Sequence, residues 1–229
     1  MPCVLAYKHE WCSKVKPLIK ASDGNRYCVY HAPRGEKDGL GAEEFNARIF
    51  TRISYSMQNE AEANLSGTIF EGDFSFKDLG PESGPDTEHP HCSIDFSDAT
   101  FTGNADFASV QFASKVSFKR AIFCKRADFS GAIFNDTARF DYAIFNEESD
   151  FTGAFFKEQA HFFDANFLAK ADFRTATFSK EVYFTLGAFK TGAVFTDAKY
   201  GARAVFKRPY AGIDKGGSKN VHLSDPEET

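Results

Sequence analysis

A bulky aromatic residue recurs through residues 96–206 at spacings that alternate between five and six. The series has 21 members, 20 Phe and one Tyr, without a miss. Neither the 3.6-residue period of an α-helix nor the two-residue period of a strand produces this spacing, so the pattern predicts a solenoid. The members are Phe96, Phe101, Phe107, Phe112, Phe118, Phe123, Phe129, Phe134, Phe140, Phe145, Phe151, Phe156, Phe162, Phe167, Phe173, Phe178, Phe184, Phe189, Phe195, Tyr200 and Phe206.

A second and longer period lies inside the first. Aspartates recur once in every four aromatics of the series, each just before a Phe: Asp106, Asp128, Asp150 and Asp172. This period means that each of these aspartates sits over the next one, one turn later. Each turn then holds four aromatics and has four short sides, so the fold class is an all-β solenoid, a quadrilateral β-helix with about 22 residues per turn.

The aromatics are predicted to point inward, together with the small residue that stands two places before each of them. Residues i and i−2 share one face of an extended segment, and equivalent rings would stack at the inter-strand spacing of about 4.8 Å. The core residues chosen on this basis are Phe107, Phe118, Phe129, Phe140, Phe151, Phe162, Phe173 and Phe184.

Residues 1–41 form a separate small unit that contains three cysteines and two histidines. Cys3, Cys12, Cys28 and His31 make a ligand set suited to tetrahedral zinc, and His9 competes with Cys3 for the fourth place. The alternative is that these are reduced thiols in a small apolar cluster. Zinc is favoured because so short a segment with few aliphatic residues can hardly fold without a cross-link such as a bound metal ion. Such an ion would be structural, because four protein ligands leave no open position.

The other segments flank or interrupt the repeat. Residues 42–62 read as an amphipathic helix that covers the open end of the solenoid, which spans residues 63–206. An acidic, Pro- and Gly-rich loop at 80–91 interrupts the first turn, and its His89, His91 and Cys92 give only a weak metal signal. Residues 207–229 are either an edge-covering extension or a disordered tail.

Units such as Ala127-Asp128-Phe129 and Ala171-Asp172-Phe173 resemble those of pentapeptide-repeat proteins, in a Phe-centred variant with alternating five- and six-residue units. The Cys/His segment also resembles a short leader found before such repeats. The resemblance implies a right-handed quadrilateral β-helix with the Phe and the preceding Ala inside.

For function, the sequence favours a non-enzymatic scaffold for protein–protein interaction. No phosphate-binding loop, catalytic carboxylate pair or nucleophile motif is recognisable, and Cys124 and His161 fall at outward positions of the repeat. The interaction surface is predicted to include Asp106, Asp128, Asp150 and Asp172. A weaker option is nucleic-acid binding through the basic residues of the leader, Lys8, Lys14, Lys16, Lys20 and Arg26.

The resemblance also implies an alternative, because some pentapeptide-repeat proteins mimic DNA and bind type II topoisomerases, which gives quinolone resistance. Mimicry needs a strongly anionic rod, whereas residues 96–206 carry 13 basic and 13 acidic residues. The neutral rod therefore disfavours a topoisomerase partner and leaves a protein partner of unknown identity.

The composition and the two ends of the chain lead to expectations about where the protein is located and whether it self-associates. The mean hydropathy of −0.38 and the lack of a long apolar run predict no membrane span. Residues 1–6 lack the apolar core of a secretory signal, which predicts a cytoplasmic protein. An uncovered final turn near Phe206 would permit an end-to-end homodimer.

Overall fold

The structure is a computed structural model that describes residues 3–76, 91–185 and 187–207, together with the backbone of Ile213–Asp214 and Val221–Ser224. It is a β-solenoid of about five turns that follows an N-terminal leader, residues 3–41, and one helix. The four-sided coil that the sequence predicts, with about 22 residues per turn, is confirmed.

The leader contains little regular structure. A 3₁₀ helix spans Glu10–Lys14, and an antiparallel hairpin pairs β1 (Leu18–Lys20) with β2 (Arg26–Cys28). The α-helix α1 then spans Ala42–Gln58, with two acidic residues in its first turn where the helix dipole favours them. It ends four residues before the predicted boundary at 62.

Four parallel sheets form the sides of the solenoid, and we name them Faces 1 to 4 in the order in which the chain first meets them. Face 1 contains β3 (Ala63–Asn64), β6 (Ile94–Asp95), β10 (Val116–Ser117), β14 (Ala138–Arg139), β18 (Ala160–His161), β22 (Val182–Thr185), β26 (Ala204–Lys207) and β28 (Val221–Ser224). Face 2 contains β4 (Ile69–Phe70), β7 (Thr100–Phe101), β11 (Ile122–Phe123), β15 (Ile144–Phe145), β19 (Asn166–Phe167) and β23 (Ala188–Phe189).

The two remaining sides have the same construction. Face 3 contains β5 (Phe74–Ser75), β8 (Ala105–Asp106), β12 (Ala127–Asp128), β16 (Ser149–Asp150), β20 (Ala171–Asp172), β24 (Ala193–Val194) and β27 (Ile213–Asp214). Face 4 contains β9 (Gln111–Phe112), β13 (Ile133–Phe134), β17 (Phe155–Phe156), β21 (Thr177–Phe178) and β25 (Lys199–Tyr200).

The aromatic rings form columns along the axis of the solenoid. Phe129 stacks on Phe151 with ring centroids 4.9 Å apart and planes 5° from parallel. Across the core it meets Phe140 at 5.3 Å with the planes 87° apart. Each ring therefore combines stacking along the axis with an edge contact across it, both favoured geometries for aromatic pairs. The eight Phe residues chosen from the sequence are at most 1% exposed.

Two kinds of corner explain the alternation of five and six residues. In the five-residue unit a tight turn closes when Ala132 N donates to Phe129 O at 3.0 Å, with Gly131 at φ +63°. In the six-residue unit only residues 135–137 lie between β13 and β14, and the spacing is longer because Phe134 ends its own strand whereas Phe140 follows β14. The tight turn needs a left-handed residue every time, yet several turns place a non-glycine residue there, at Asp98, Ser109, Arg120, Tyr142, Asp164, Thr175 and Asp197.

The first turn differs from the others because it contains an insertion. Asn64 of β3 pairs with Asp95, and Asp95 in turn pairs with Ser117. More residues separate Asn64 from Asp95 in the sequence than separate Asp95 from Ser117. The extra residues follow β5, in the segment 77–90 that lies outside the described residues. The predicted loop 80–91 falls there, except for His91. Of the weak metal signal only His91 and the buried Cys92 are described.

Both ends of the solenoid carry additional structure. Phe45 of α1 packs edge-on against Phe70 of the first turn at 6.0 Å, so the helix covers the first aromatic layer. At the other end β28 pairs with β26, and β27 pairs with β24. The end near Phe206 is therefore not an uncovered edge on Face 1, because the chain's own extension occupies it.

One buried hydroxyl interrupts the column of small residues on Face 3. Ser149 lies in register between Ala127 and Ala171, is 1% exposed, and its Oγ has no hydrogen-bond partner. Because an unsatisfied buried hydroxyl destabilises a fold, we expect Ser149→Ala to raise the free energy of unfolding by about 1 kcal/mol. Urea unfolding would measure this change.

A matched change on the same face provides the control. The Ser130 hydroxyl faces outward and donates to Asp128 Oδ1 at 2.6 Å. Ser130→Ala should therefore leave stability unchanged or lower it slightly. Equal stabilisation by both changes would contradict the assignment of Ser149 to the core.

Candidate metal centre and charged faces

The leader gathers four potential metal ligands into one buried cluster. Cys3 precedes the 3₁₀ helix, Cys12 lies within it, and Cys28 ends β2. A tight turn, closed by His31 N donating to Cys28 O at 3.0 Å, brings His31 back to the cysteines. The four side chains are at most 2% exposed, and their ligand atoms all lie within 4.8 Å of one another. The group could hold a metal ion.

The hydrogen bonds of His31 orient its ring for this role. Its Nε2 lies 3.0 Å from the carbonyl oxygen of Ser66, which can only accept a hydrogen bond, so Nε2 carries the proton. Nδ1 then presents its lone pair to Cys28 Sγ at 3.3 Å and Cys3 Sγ at 3.7 Å. These distances are near the roughly 3.6 Å that separates sulfur and nitrogen ligands around a tetrahedral zinc ion. An imidazole fixed by a carbonyl in this way is the usual outer-shell arrangement of metal sites.

Burial keeps the ligand groups uncharged when no cation is present. Desolvation raises the pKa of Cys28 to about 11 and raises the pKa of Cys12 further, with repulsion between neighbouring thiolates adding to both. Desolvation also lowers the pKa of His31 to about 4. A divalent cation would offset the cost of the buried thiolates and would release their protons.

His9, the alternative ligand, lies beside this cluster and not within it. Its Nδ1 is 3.0 Å from Ser66 Oγ, and its ring stacks on that of His31 with centroids 4.9 Å apart. Trp11 Nε1 also donates to the Ser66 carbonyl, at 3.2 Å. Ser66 of the first solenoid turn thus joins His9, Trp11 and His31 of the leader. No feature of the sequence pointed to Ser66, since a single serine at a variable position of the repeat gives no signal.

A buried lysine closes the other side of the leader. Lys37 is 3% exposed, and its Nζ donates to Val29 O at 2.6 Å and lies 4.3 Å from the centroid of the Phe45 ring. The contacts of Lys37 thereby join the leader to α1. Burial lowers the pKa of Lys37 to about 8. The sequence offered no sign of it, because lysine is rarely buried.

The depressed pKa of Lys37 predicts a pH dependence of stability. Below pH 8 the lysine is protonated in both states, and between pH 8 and 10.5 the unfolded chain binds more protons than the folded one. Stability linked to this group should therefore rise with pH across that window, by up to about 3 kcal/mol. Urea unfolding of the parent and of Lys37→Met at pH 7.5 and 10 would isolate the contribution of Lys37, because the titrations of other groups cancel when the two proteins are compared. An equal pH response of the two proteins would refute the prediction.

The aspartates of Face 3 stand in register but turn back onto the backbone. Asp128 lies opposite Asp106 and Asp150, and Asp150 opposite Asp172. In each case a carboxylate oxygen accepts a hydrogen bond from the amide two residues later, as in the Asp128–Ser130 contact of 2.9 Å. The carboxylates thus stabilise the corners of the solenoid. Asp106, Asp128 and Asp150 also remain partly exposed to solvent, whereas Asp172, which was predicted to lie on the interaction surface, is buried. The sequence contained the signal for this hydrogen bond, since aspartate at the start of a turn commonly accepts a hydrogen bond from the backbone two residues later.

Cations neutralise much of this aspartate column. Arg126 lies 3.0 Å from both Asp128 Oδ2 and Asp150 Oδ2. Burial opposes ionisation of Asp172, but hydrogen bonds from Arg174 and Lys170 outweigh it and lower the pKa of Asp172 to about 2. Face 3 is therefore a strip of paired charges.

Cys124 and His161 are half-buried at outward positions on Faces 2 and 1. In the leader, Lys8 pairs with Asp98 of the solenoid at 3.3 Å, which removes one cation from the basic group singled out in the sequence. No helix in the described part of the chain has the length and apolar character needed to cross a membrane.

Comparison with known proteins agrees with this architecture. A family model described as pentapeptide repeats (9 copies) matches residues 96–144, which lie within the regular turns of the solenoid. No match was found among curated proteins or among solved structures.

Proposed function

Because the chain carries pentapeptide repeats that fold as a β-solenoid, we propose that it is a non-enzymatic scaffold that binds a protein partner through its outer faces. The observation that supports this most is the paired-charge strip of Face 3, where Arg126 bridges Asp128 and Asp150. Such a strip offers both signs of charge at fixed positions, which suits a protein surface better than a polyanion or a polycation.

The architecture favours binding because it fixes the outward side chains in advance. Each inner strand is hydrogen-bonded to a strand on both sides, and the aromatic columns fill the interior. A preorganised surface loses little conformational entropy on association, so more of the contact energy appears as affinity.

Site-specific photo-cross-linking in cells tests the scaffold function. Benzoylphenylalanine in place of Ser130 on Face 3 should capture one specific protein, and Arg126→Glu should abolish that product. The control is benzoylphenylalanine in place of Lys157, which is exposed beyond Face 4. A product that is equal from both positions, or absent from Ser130, would refute binding through Face 3.

DNA mimicry is the second candidate, and the register of the aspartates is the observation in its favour. One carboxylate per turn places negative charges about 4.8 Å apart along the axis. The bridging Arg126, together with Lys170 and Arg174, weakens the resemblance to a phosphate backbone. We therefore expect no inhibition of DNA supercoiling by purified type II topoisomerase. Inhibition by the parent that disappears when the four aspartates become asparagine would put mimicry first.

For the leader, we propose that zinc is the ion bound by Cys3, Cys12, Cys28 and His31, in a structural role. Three thiols and one imidazole match the preference of zinc for sulfur and nitrogen ligands in tetrahedral geometry. Reduced thiols fit a reducing compartment, so we also propose a cytoplasmic location.

A further inference from the structure

Face 1 carries a group of aromatic side chains on its outer surface between β14 and β22. We name this group, formed by Tyr142, His161, Phe163 and Tyr183, the aromatic patch. Tyr142 meets Phe163 edge-on at 5.3 Å, and His161 stacks on Tyr183 at 5.6 Å. The patch lines a shallow groove of about 410 Å³. Within the described residues of the solenoid, Tyr142 is the most exposed large apolar side chain, at 42%.

The backbone at Tyr142 is strained. It occupies the left-handed position of a tight turn with φ +60°, a position filled by glycine at Gly131 and Gly153 and by smaller or more polar residues than tyrosine in the other described turns. A non-glycine residue in this conformation is disfavoured, because its Cβ lies too close to the following carbonyl oxygen. The turn therefore holds an exposed aromatic ring where glycine would be more stable.

The charges around the patch indicate the chemistry of its occupant. Lys119 and Arg139 line the same groove. The carboxylate of Asp141 is 6% exposed and is paired with Arg139 at 2.9 Å, so it presents little negative charge to the groove. Burial lowers the pKa of His161, which leaves the ring neutral at pH 7. The rim of the groove is thus cationic and its floor aromatic.

We propose that the aromatic patch binds an extended segment of a protein partner that places an acidic side chain beside an apolar one. The acidic group pairs with Arg139 and Lys119, and the apolar group packs among Tyr142, Phe163 and Tyr183. Tyrosine and arginine are the residue types that most often dominate binding at protein interfaces. This inference rests on the proposed scaffold function and assigns it a second face and a partner chemistry.

The test uses the full chain and a library of random 12-residue peptides displayed on phage. We expect selected peptides to be rich in Asp or Glu next to Leu, Phe or Trp. Tyr142→Gly and Phe163→Ser should each weaken their binding at least about tenfold, since both remove a buried contact. Selection of basic peptides, or of none, would overturn the proposal.

A matched variant separates binding from stability. Thr175 occupies the same left-handed turn position at φ +56°, at the corner after Face 3 and away from the patch. Tyr142→Gly and Thr175→Gly both relieve the turn, so neither should lower the melting temperature. Only Tyr142→Gly should lose peptide binding. Equal binding by the two variants would refute a role for the patch.

A further binding experiment distinguishes a nucleic-acid ligand of the patch from a peptide ligand. A labelled single-stranded oligothymidine should not bind, and binding that Tyr142→Gly abolishes would replace the peptide with single-stranded nucleic acid. Cross-linking from Ser130 on Face 3 does not involve Tyr142. Failure of the patch therefore remains distinguishable from failure of the scaffold function.

Discussion

Phe156→Ala should lower the free energy of unfolding by about 3–5 kcal/mol, which is the usual cost of emptying a buried phenylalanine site. Phe156 is 0% exposed and stacks between Phe134 at 4.6 Å and Phe178 at 4.9 Å. Removing it leaves a gap in the middle of a column, which neighbouring rings fixed by their own strands cannot fill. Chemical unfolding followed by far-ultraviolet circular dichroism would measure the loss.

The adjacent residue supplies a control with the same chemical change. Phe155 precedes Phe156 in β17 but is half-buried and faces outward, because successive residues of a strand point to opposite sides. Phe155→Ala should cost about 1 kcal/mol or less, since it leaves no internal cavity. Comparable losses for the two changes would contradict the inward and outward assignment on which the whole register depends.

The sequence sufficed for the solenoid because its core repeats residue by residue. Each inward position meets its equivalent on the next turn, as Ala127 meets Ser149, so the period of the sequence is also the period of the contacts. The spacing of the aromatics therefore predicts the identity of the inward residues, and the longer period of the aspartates predicts the length of a turn and with it the number of sides.

The leader could be predicted only in part because its contacts do not repeat. The spacing of cysteine and histidine indicated a ligand set, but His31 is oriented by Ser66, which is 35 residues away in the sequence and carries no pattern. The same holds for Lys37, which is buried against Phe45 of α1. Such pairs arise from how the leader packs on the first turn, and no local propensity encodes that packing.

The aspartates and the insertion show two other reasons for incomplete prediction. The alternation of a strand places Asp128 on the outside, but the carboxylate then bends back to the amide of Ser130. Side-chain direction alone therefore overstates how much charge faces solvent. The insertion after β5 was predicted as a loop, because the alternating spacing of Leu65, Phe70 and Phe76 is interrupted before Phe96, but its effect on the pairing of β3 with β6 was not.

Removal of the proposed zinc ion should release the leader from the solenoid. Structural zinc contributes on the order of 10 kcal/mol to the folding of small zinc domains, so its loss exceeds what a segment of this size can withstand. Trp11, the single tryptophan of the chain, reports on this event because its ring contacts Arg52 at 4.3 Å and its Nε1 donates to Ser66. We expect a strong chelator to shift its emission to longer wavelength, as the indole becomes exposed to water.

Cys28→Ser should have the same effect without chelator, and Cys124→Ser provides the matched control. Both changes replace a thiol with a hydroxyl, but Cys124 lies on Face 2, outside the ligand cluster. Elemental analysis should find one zinc per chain in the parent and in Cys124→Ser, and none in Cys28→Ser. Limited proteolysis should then cut the leader of Cys28→Ser and leave the solenoid intact, because the aromatic columns hold the later turns together through their own stacking. A parent protein that purifies without zinc, or that keeps its tryptophan emission in chelator, would exclude the structural role of the ion.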